Sequence, residues 1–242
     1  MTAKSKNNNK KTINNIRPFL KWAGNKYRII DRVRESLPEG KRLIEPFAGS
    51  AAVFLNTNYE QYIINDNNPD LIHLYNILKK DGEIFIKKCR YYFSPRFNNE
   101  EQYYKLREKF NSSNDIYKRA VLFVYLNRHG YNGLCRYNLK GGYNVPFGRY
   151  KAPYFPEKEM LIFHEKAVNA EFVLSSFEQI IQSAKKGDVI YCDPPYVPLS
   201  PSANFTSYSS GGFNIEKQQQ LADLANEISV KGIPMLISNH NT

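Results

Sequence analysis

The chain is poor in the residues that build covalent or metal-held frameworks: three cysteines and four histidines in 242 residues. Cys89, Cys135 and Cys192 are odd in number, widely spaced and without a Cys-x-x-Cys pair. Neither a disulfide scaffold nor a zinc site is indicated, no metal is expected, and a reducing, cytoplasmic setting follows. No run of eighteen apolar residues occurs, so no membrane-spanning helix is expected. The N-terminus lacks the apolar stretch of a signal peptide. Residues 1–16 are dominated by Lys, Asn and Thr and read as a disordered basic arm.

Acidic residues are also in short supply, 23 against 34 Lys and Arg, leaving a net charge of +11. The excess is localised. Residues 69–157 carry sixteen basic and eight acidic side chains, a balance of +8, and 19 of the 34 aromatics. Cations for phosphates and flat rings for bases together suit a nucleic-acid surface. A helical subdomain with an aromatic core and ordinary basic faces accounts for the rings but leaves the charge unexplained.

Strand and helix patterns alternate at both ends of the sequence. Arg42 to Glu45 follows a Pro38-Glu39-Gly40 turn and reads as a first strand, with Ala51 to Leu55 opening a helix. Tyr62 to Asn65 is a second strand ending at Asp66, and Pro69 to Lys80 is a helix with Leu71, Leu74, Tyr75 and Leu78 on one face. Alternation then stops for about ninety residues, with helical spacing over 100–110 and 116–126 and a loop-like stretch over 127–156. Strands resume at 171–174 and 188–192, followed by a helix over 216–230 and a fifth strand over 234–238. The pattern predicts a doubly wound α/β sheet carrying an inserted segment. The catalytic domain is assigned to 17–68 and 158–242, and the insertion to 69–157.

Asp193-Pro194-Pro195-Tyr196 directly follows the apolar strand ending at Cys192. In an open parallel sheet, ligands bind outside the carboxyl ends of the strands. Adenine's exocyclic amino group is a weak nucleophile because its lone pair is delocalised into the ring. A carboxylate from Asp193 and the Pro194 carbonyl, each accepting one amino hydrogen, would localise that pair. Pro195 stiffens the loop, and Tyr196 offers a ring for a base taken out of the duplex. A stiff loop with a surface aspartate is the plainer alternative.

Glu45-Pro46-Phe47-Ala48-Gly49 follows the first strand. Gly49 lets the backbone approach a ligand closely, and a single glycine is not the GxGxxG of dinucleotide enzymes, which suits a cofactor without phosphates. An ordinary strand-to-helix turn explains it equally well. Asp66 stands where an acid can take ribose hydroxyls, or where it merely caps a turn. Trp22 is the only tryptophan, in a Phe19–Lys26 segment whose Gly24-Asn25 turn and Lys26 can hold a carboxylate. Asn127 to Asn138 has the composition of a recognition loop: glycines for tight turns, Asn and Arg for base edges, Tyr and Leu for wedging. His129 has no partner at metal or triad spacing and reads as structural.

Taken in order, FLKWAGNK, EPFAGS, IINDNN, LNRHGYNGLCRYN, NVPFGRY, KAPYFP, YCDPPY and LISNHNT resemble the Dam-type DNA adenine methyltransferases over residues 17–242. Cofactor motifs first, recognition insertion second and DPPY third is the order of the alpha class of amino methyltransferases. The resemblance implies an S-adenosylmethionine-dependent methyltransferase fold with a mostly helical target-recognition insertion. The expected partner is double-stranded DNA containing GATC, and the expected state is monomeric. It further implies that Trp22, Lys26, Asp66 and Asp193 contact S-adenosylmethionine, with Phe47 and Gly49 lining the same pocket. Lys21 and Arg136 would read base edges, with Leu134, Asn132 and Asn138 assisting; Tyr131 would insert into the duplex and Arg149 would hold phosphate.

Two departures stand out. Ala51 replaces the second glycine of the family's FxGxG, so altered packing with cofactor binding kept is expected. Only five strands are legible, where the fold normally has two more, so the sequence is expected to be shortened or part of a longer chain, with an uncovered edge at 235–238. Competing readings are an amino methyltransferase acting on RNA or protein, an oxidoreductase, and a DNA-binding protein without a working catalytic half. A thermal shift with S-adenosylmethionine separates the last of these from an enzyme.

Overall fold

The computed structural model describes residues 14–195 and 213–239. Five strands form one wholly parallel sheet: β1 Arg42–Glu45, β2 Gln61–Asp66, β3 Ala170–Leu174, β4 Asp188–Cys192 and β5 Met235–Ile237, in spatial order β3-β2-β1-β4-β5. The period-two alternation of side chains supplies both faces. Leu43, Val189 and Tyr191 enter one buried cluster, and their neighbours Ile44, Ile190 and Cys192 enter a second on the other side. A parallel sheet covered twice needs such continuous apolar strands.

The first face is covered by α2 Ala52–Asn56, α3 Pro69–Tyr91, α5 Ile116–His129 and α6 Glu157–Lys166, which contribute Phe54, Tyr75, Leu122 and Phe163 to one cluster. The second is covered by α7 Phe177–Gln182 and α8 Ile215–Val230, through Ile181, Leu224 and Ile228. α1 Ile30–Ser36 contacts α2, and α4 Glu100–Asn111 contacts α5. The first cluster runs without interruption from the sheet into residues 69–157. Among the described residues no helix is long and apolar enough to cross a membrane.

Local chemistry sets the element ends. Asn68 caps α3 by accepting from the Asp70 and Leu71 amides at 3.0 and 3.3 Å, with Pro69 at the first helical position. That helix does not stop near Lys80 but runs to Tyr91 through a kink at Gly82, where φ is +42°. There the His164 ring occupies the space a side chain would need, 2.5 Å from an added Cβ, and Nδ1 hydrogen-bonds the Leu78 carbonyl at 2.9 Å. The recognition-like stretch is short-range structure: a single turn at Tyr131–Gly133 and antiparallel bridges Gly130–Phe147 and Tyr137–Tyr143. α1, α6 and α7 add helices that the sequence pattern did not isolate. Of the N-terminal arm, residues 1–13 lie outside the described residues. Arg34 donates to Asn15 Oδ1 and the Ile16 amide to Asn56 Oδ1, both at 2.7 Å, so the end of the expected arm is bound to the folded body.

Candidate active site and nucleic-acid interface

The chain runs outward from β1 through β2 to β3, then returns to place β4 on the other side of β1. At this reversal the carboxyl ends of neighbouring strands diverge and open a crevice. A cavity of about 860 Å³ occupies it, with Trp22, Lys26, Phe47, Gly49, Asp66, Asp193, Pro194 and Pro195 in its lining. Tyr196 lies outside the described residues.

Each loop end is held by backbone bonding. Asp66 Oδ2 accepts from the Gly49 amide and Oδ1 from the Asn68 amide, both at 3.0 Å. The Tyr75 hydroxyl donates to the Gly49 carbonyl at 2.6 Å. Gly49 has φ of +47°, and a Cβ there would stand 2.8 Å from Trp22 Nε1. Glycine is therefore required twice, by its backbone angle and by the indole. Ala51, in the place of the family's second glycine, also adopts the left-handed region, with φ +57° and no exposure. A non-glycine residue is disfavoured in that region by about 1–2 kcal/mol.

Three carboxyl groups in the cavity lining are taken largely out of water. Burial raises the pKa of Asp66 against the opposing pull of the Gly49, Asn68 and Asn67 amides. Burial also raises Asp193, opposed by the hydrogen bond and charge of Lys26. Lys26 Nζ lies 2.5 Å from Asp193 Oδ1 and donates to the Gly24 carbonyl at 2.9 Å. Glu45 is pushed up to about 8, chiefly by burial, with the Phe54 amide lowering it. Its Oε1 and the hydroxyl of Ser50 are buried without a hydrogen-bond partner, and both residues line the cavity. Phe47, Phe177 and Phe213 form an aromatic wall with centroid separations of 5.2, 5.7 and 5.8 Å. Buried acids, orphaned polar atoms and an aromatic wall fit a cationic adenosine-bearing cofactor such as S-adenosylmethionine. Among the described residues no group of three or more His, Cys, Asp and Glu side chains is placed to hold a metal.

The nucleic-acid candidates form a second constellation. Lys21 is next to the cavity's Trp22 in sequence, and its Nζ sits 3.9 Å from the Tyr150 ring centre. Burial lowers its pKa, with the Arg128 charge acting the same way. Gly133 packs so closely on Lys21 that an added Cβ would be 2.1 Å from the lysine's own Cβ. Tyr131 is 51% exposed, Asn132 is exposed with φ +51°, and Leu134 is half-buried. Arg136 is already engaged: Nε donates to Asn144 Oδ1 at 2.8 Å and Nη2 to the Asn144 carbonyl at 3.2 Å. Asn138 shapes the hairpin tip, its Oδ1 accepting from the Lys140 and Gly142 amides at 3.0 Å each. Arg149, with φ +54°, projects its side chain 3.4 Å from Glu100 at the start of α4. His129 is a core residue: Nδ1 meets the Tyr125 carbonyl at 3.0 Å, and burial lowers its pKa to about 4.

Asn127 is the main residue that sequence reasoning passed over. Fully buried, it exchanges two bonds with the Lys21 backbone, receiving from the amide at 2.8 Å and donating to the carbonyl at 2.7 Å. The end of α5 is thereby clamped to the Phe19–Lys26 segment. Asn65 does similar work across strand ends, bonding the Pro46 carbonyl at 2.9 Å and both backbone groups of Ser175. Their positions inside quoted motifs were the available signal.

A doubly wound sheet with an acid at the end of β2, a tight glycine after β1 and an Asp-Pro-Pro loop after β4 is the arrangement of the amino-methyltransferase class. The family of D12 class N6 adenine-specific DNA methyltransferases matches residues 22–242, and the chain belongs to it. It is 56% identical to a DNA adenine methylase of Serratia marcescens over 227 residues, 93% of this chain and 84% of that protein. Identity to the DNA adenine methylase of Escherichia coli (strain K12) is 53% over 226 residues, covering 93% and 81%. For the Vibrio cholerae (strain O395) DNA adenine methylase it is 50% over 227 residues, covering 93% and 82%.

Proposed function

We propose that this adenine-specific DNA methyltransferase acts on GATC in duplex DNA, with S-adenosylmethionine as the methyl donor. The observation that carries the chemistry is the convergence of Asp193, Lys26, Asp66 and Gly49 on one cavity at the sheet's reversal. When bound, S-adenosylmethionine supplies an electrophilic methyl group. Asp66 would take the ribose hydroxyls with the lone pairs not used by the Gly49, Asn68 and Asn67 amides, and Trp22, Phe47 and Gly49 would line the remainder. Asp193 accepts one hydrogen of the adenine amino group and the Pro194 carbonyl accepts the other, concentrating the nitrogen lone pair for attack. Lys26 opposes the burial-driven rise of the Asp193 pKa, favouring its ionised form. Pro195 fixes the loop, and Tyr196 stacks on an adenine taken out of the duplex.

Residues 69–157 serve as the target-recognition part, and 17–68 with 158–242 as the catalytic part. Lys21 and Arg136 read base edges, with Asn132, Leu134 and Asn138 supporting them. Tyr131 enters the stack and Arg149 binds phosphate. The GATC assignment is supported by the LNRHGYNGLCRYN segment and its likeness to Dam-type enzymes. The test is methylation from labelled S-adenosylmethionine on duplexes identical except at GATC. Transfer confined to the GATC duplex is expected; equal transfer to a duplex lacking it would overturn the specificity.

A further inference from the structure

Arg136 is flanked by two residues anchored outside the hairpin. In extended backbone, alternate side chains point to opposite faces, so what holds residues 135 and 137 decides what residue 136 presents. Cys135 is buried, and its Sγ accepts from Asn68 Nδ2 at 3.6 Å. The Tyr137 hydroxyl donates to Asp70 Oδ2 at 2.7 Å. Asp70, 5% exposed, is held from a second side by Arg119, Nε to Oδ1 and Nη2 to Oδ2 at 2.8 Å each. Both anchors fall in the first turn of α3.

That helix start is joined to the cofactor cavity through Asp66, which lines it together with Asn67. The Asn68 amide donates to Asp66 Oδ1, while the Asn68 side chain caps the Asp70 amide, both at 3.0 Å. Asp66 and the two flanks of Arg136 thus hang on two residues of one helix start, Asn68 and Asp70. The bonds to the Asp66 and Asp70 carboxylates are charge-assisted, which makes them directional.

Resting on the function proposed above, we infer that Tyr137 is a positioning residue that, with Asn68 and Asp70, ties target discrimination by the hairpin to occupancy of the cofactor cavity. A ligand on Asp66 fixes the Asn67–Asp70 turn, and through Tyr137 and Cys135 that turn fixes the backbone from which Arg136, its guanidinium held on Asn144, is offered. Reciprocally, cognate DNA seated on Arg136 tightens the cavity, since a coupling between two binding sites acts equally in both directions.

The test uses Tyr137→Phe, which deletes only the hydroxyl and keeps the ring beside Tyr143, 5.6 Å away between centroids. Cys135→Ala, which cuts the second anchor, serves as the independent variant. Affinities for a GATC duplex and a duplex changed at one base pair are measured with and without S-adenosylhomocysteine. Its affinity without DNA and the melting temperature are measured alongside. The wild type is expected to prefer GATC about tenfold more strongly with the ligand than without it. In Tyr137→Phe that gain falls to within about twofold, while ligand affinity without DNA stays within about twofold of wild type. A full gain in both variants overturns the inference. So does an equal loss of duplex affinity with and without the ligand, which marks a merely structural role. A wild type that shows no GATC preference under either condition overturns the proposed function as well.

Discussion

Gly49→Ala is the substitution whose consequence the structure defines most sharply. The left-handed backbone at φ +47° costs a side-chain-bearing residue about 1–2 kcal/mol. The new methyl would lie 2.8 Å from Trp22 Nε1 and 3.0 Å from Cδ1, closer than non-bonded carbon and nitrogen approach. Residue 49 cannot slide away, because its amide is bound to Asp66 and its carbonyl to Tyr75. The indole must move instead, and it lines the cavity. For a chain of this size 1–2 kcal/mol lowers the melting temperature by about 2–8 °C. Gly232→Ala is the matched control: φ is +68°, nothing lies within 4 Å of its added Cβ, and it is outside the cavity lining. It carries the backbone cost without the collision. Since Trp22 is the only tryptophan, its fluorescence reports its own displacement. Gly49→Ala should shift the emission and weaken S-adenosylhomocysteine binding about tenfold or more, equivalent to about 1.4 kcal/mol, and Gly232→Ala should do neither. Unchanged emission together with wild-type ligand affinity in Gly49→Ala would refute the reasoning.

Asp193→Ala should lower single-turnover methyl transfer about a hundredfold or more while leaving duplex affinity largely intact; retention of over a tenth of the wild-type rate (roughly a 1.4 kcal/mol effect) sinks the proposed mechanism. Because Lys26 opposes the burial-driven rise of the Asp193 pKa, Lys26→Met should move the acid limb of the single-turnover rate to higher pH, and an unmoved limb counts against the pairing. Glu45 has a higher pKa folded than unfolded, so the stability it contributes is complete below about 4.5 and is lost as pH rises through about 8. Melting temperatures of Glu45→Gln should therefore decline less between pH 5 and 8 than those of the wild type, and parallel curves would contradict that. Arg136→Ala should narrow the gap between GATC and near-cognate duplexes about tenfold. Arg149→Ala should weaken all duplexes alike and reduce the salt slope by about one unit; competition binding across salt concentrations separates the two, and exchanged phenotypes would reverse the roles.

The sheet was legible because a buried parallel strand advertises itself: Leu43-Ile44 and Val189 to Cys192 are apolar on both faces and end at turn residues. Asp66, Asp193 and Gly49 were legible for a related reason, since ligands gather at strand ends and the strand ends could be found; buried Glu45, in the same lining, was not singled out. Kinks and clamps could not be read the same way. Gly82 breaks α3 only because His164, eighty-two positions later, fills the space beside it. Asn127 reads as one more polar residue of a recognition loop until Lys21, 106 positions earlier, supplies both its partners. The tie between Tyr137 and Asp70 spans 67 positions and depends on how α3 meets the hairpin. Periodicity is a local property of the chain, whereas these bonds are set by tertiary approach. Residues such as Arg136 were found by type, but their direction was not.

The clamp between Asn127 and Lys21 has a bearing on how such a protein can change. Eight consecutive residues, Phe19 to Lys26, contribute a core ring, a cation facing the recognition turn, a cavity wall and the partner of Asp193. Backbone geometry is shared along so short a segment, so an alteration that re-aims Lys21 also re-aims Trp22 and Lys26. Variation toward a new target sequence is thus channelled away from this segment and into the hairpin between Asn132 and Arg149. There, side chains other than the Cys135 and Tyr137 anchors can be exchanged without shifting the groups around the cavity. Directed evolution that randomises both regions should accordingly recover active clones with an altered hairpin and an unchanged 19–26.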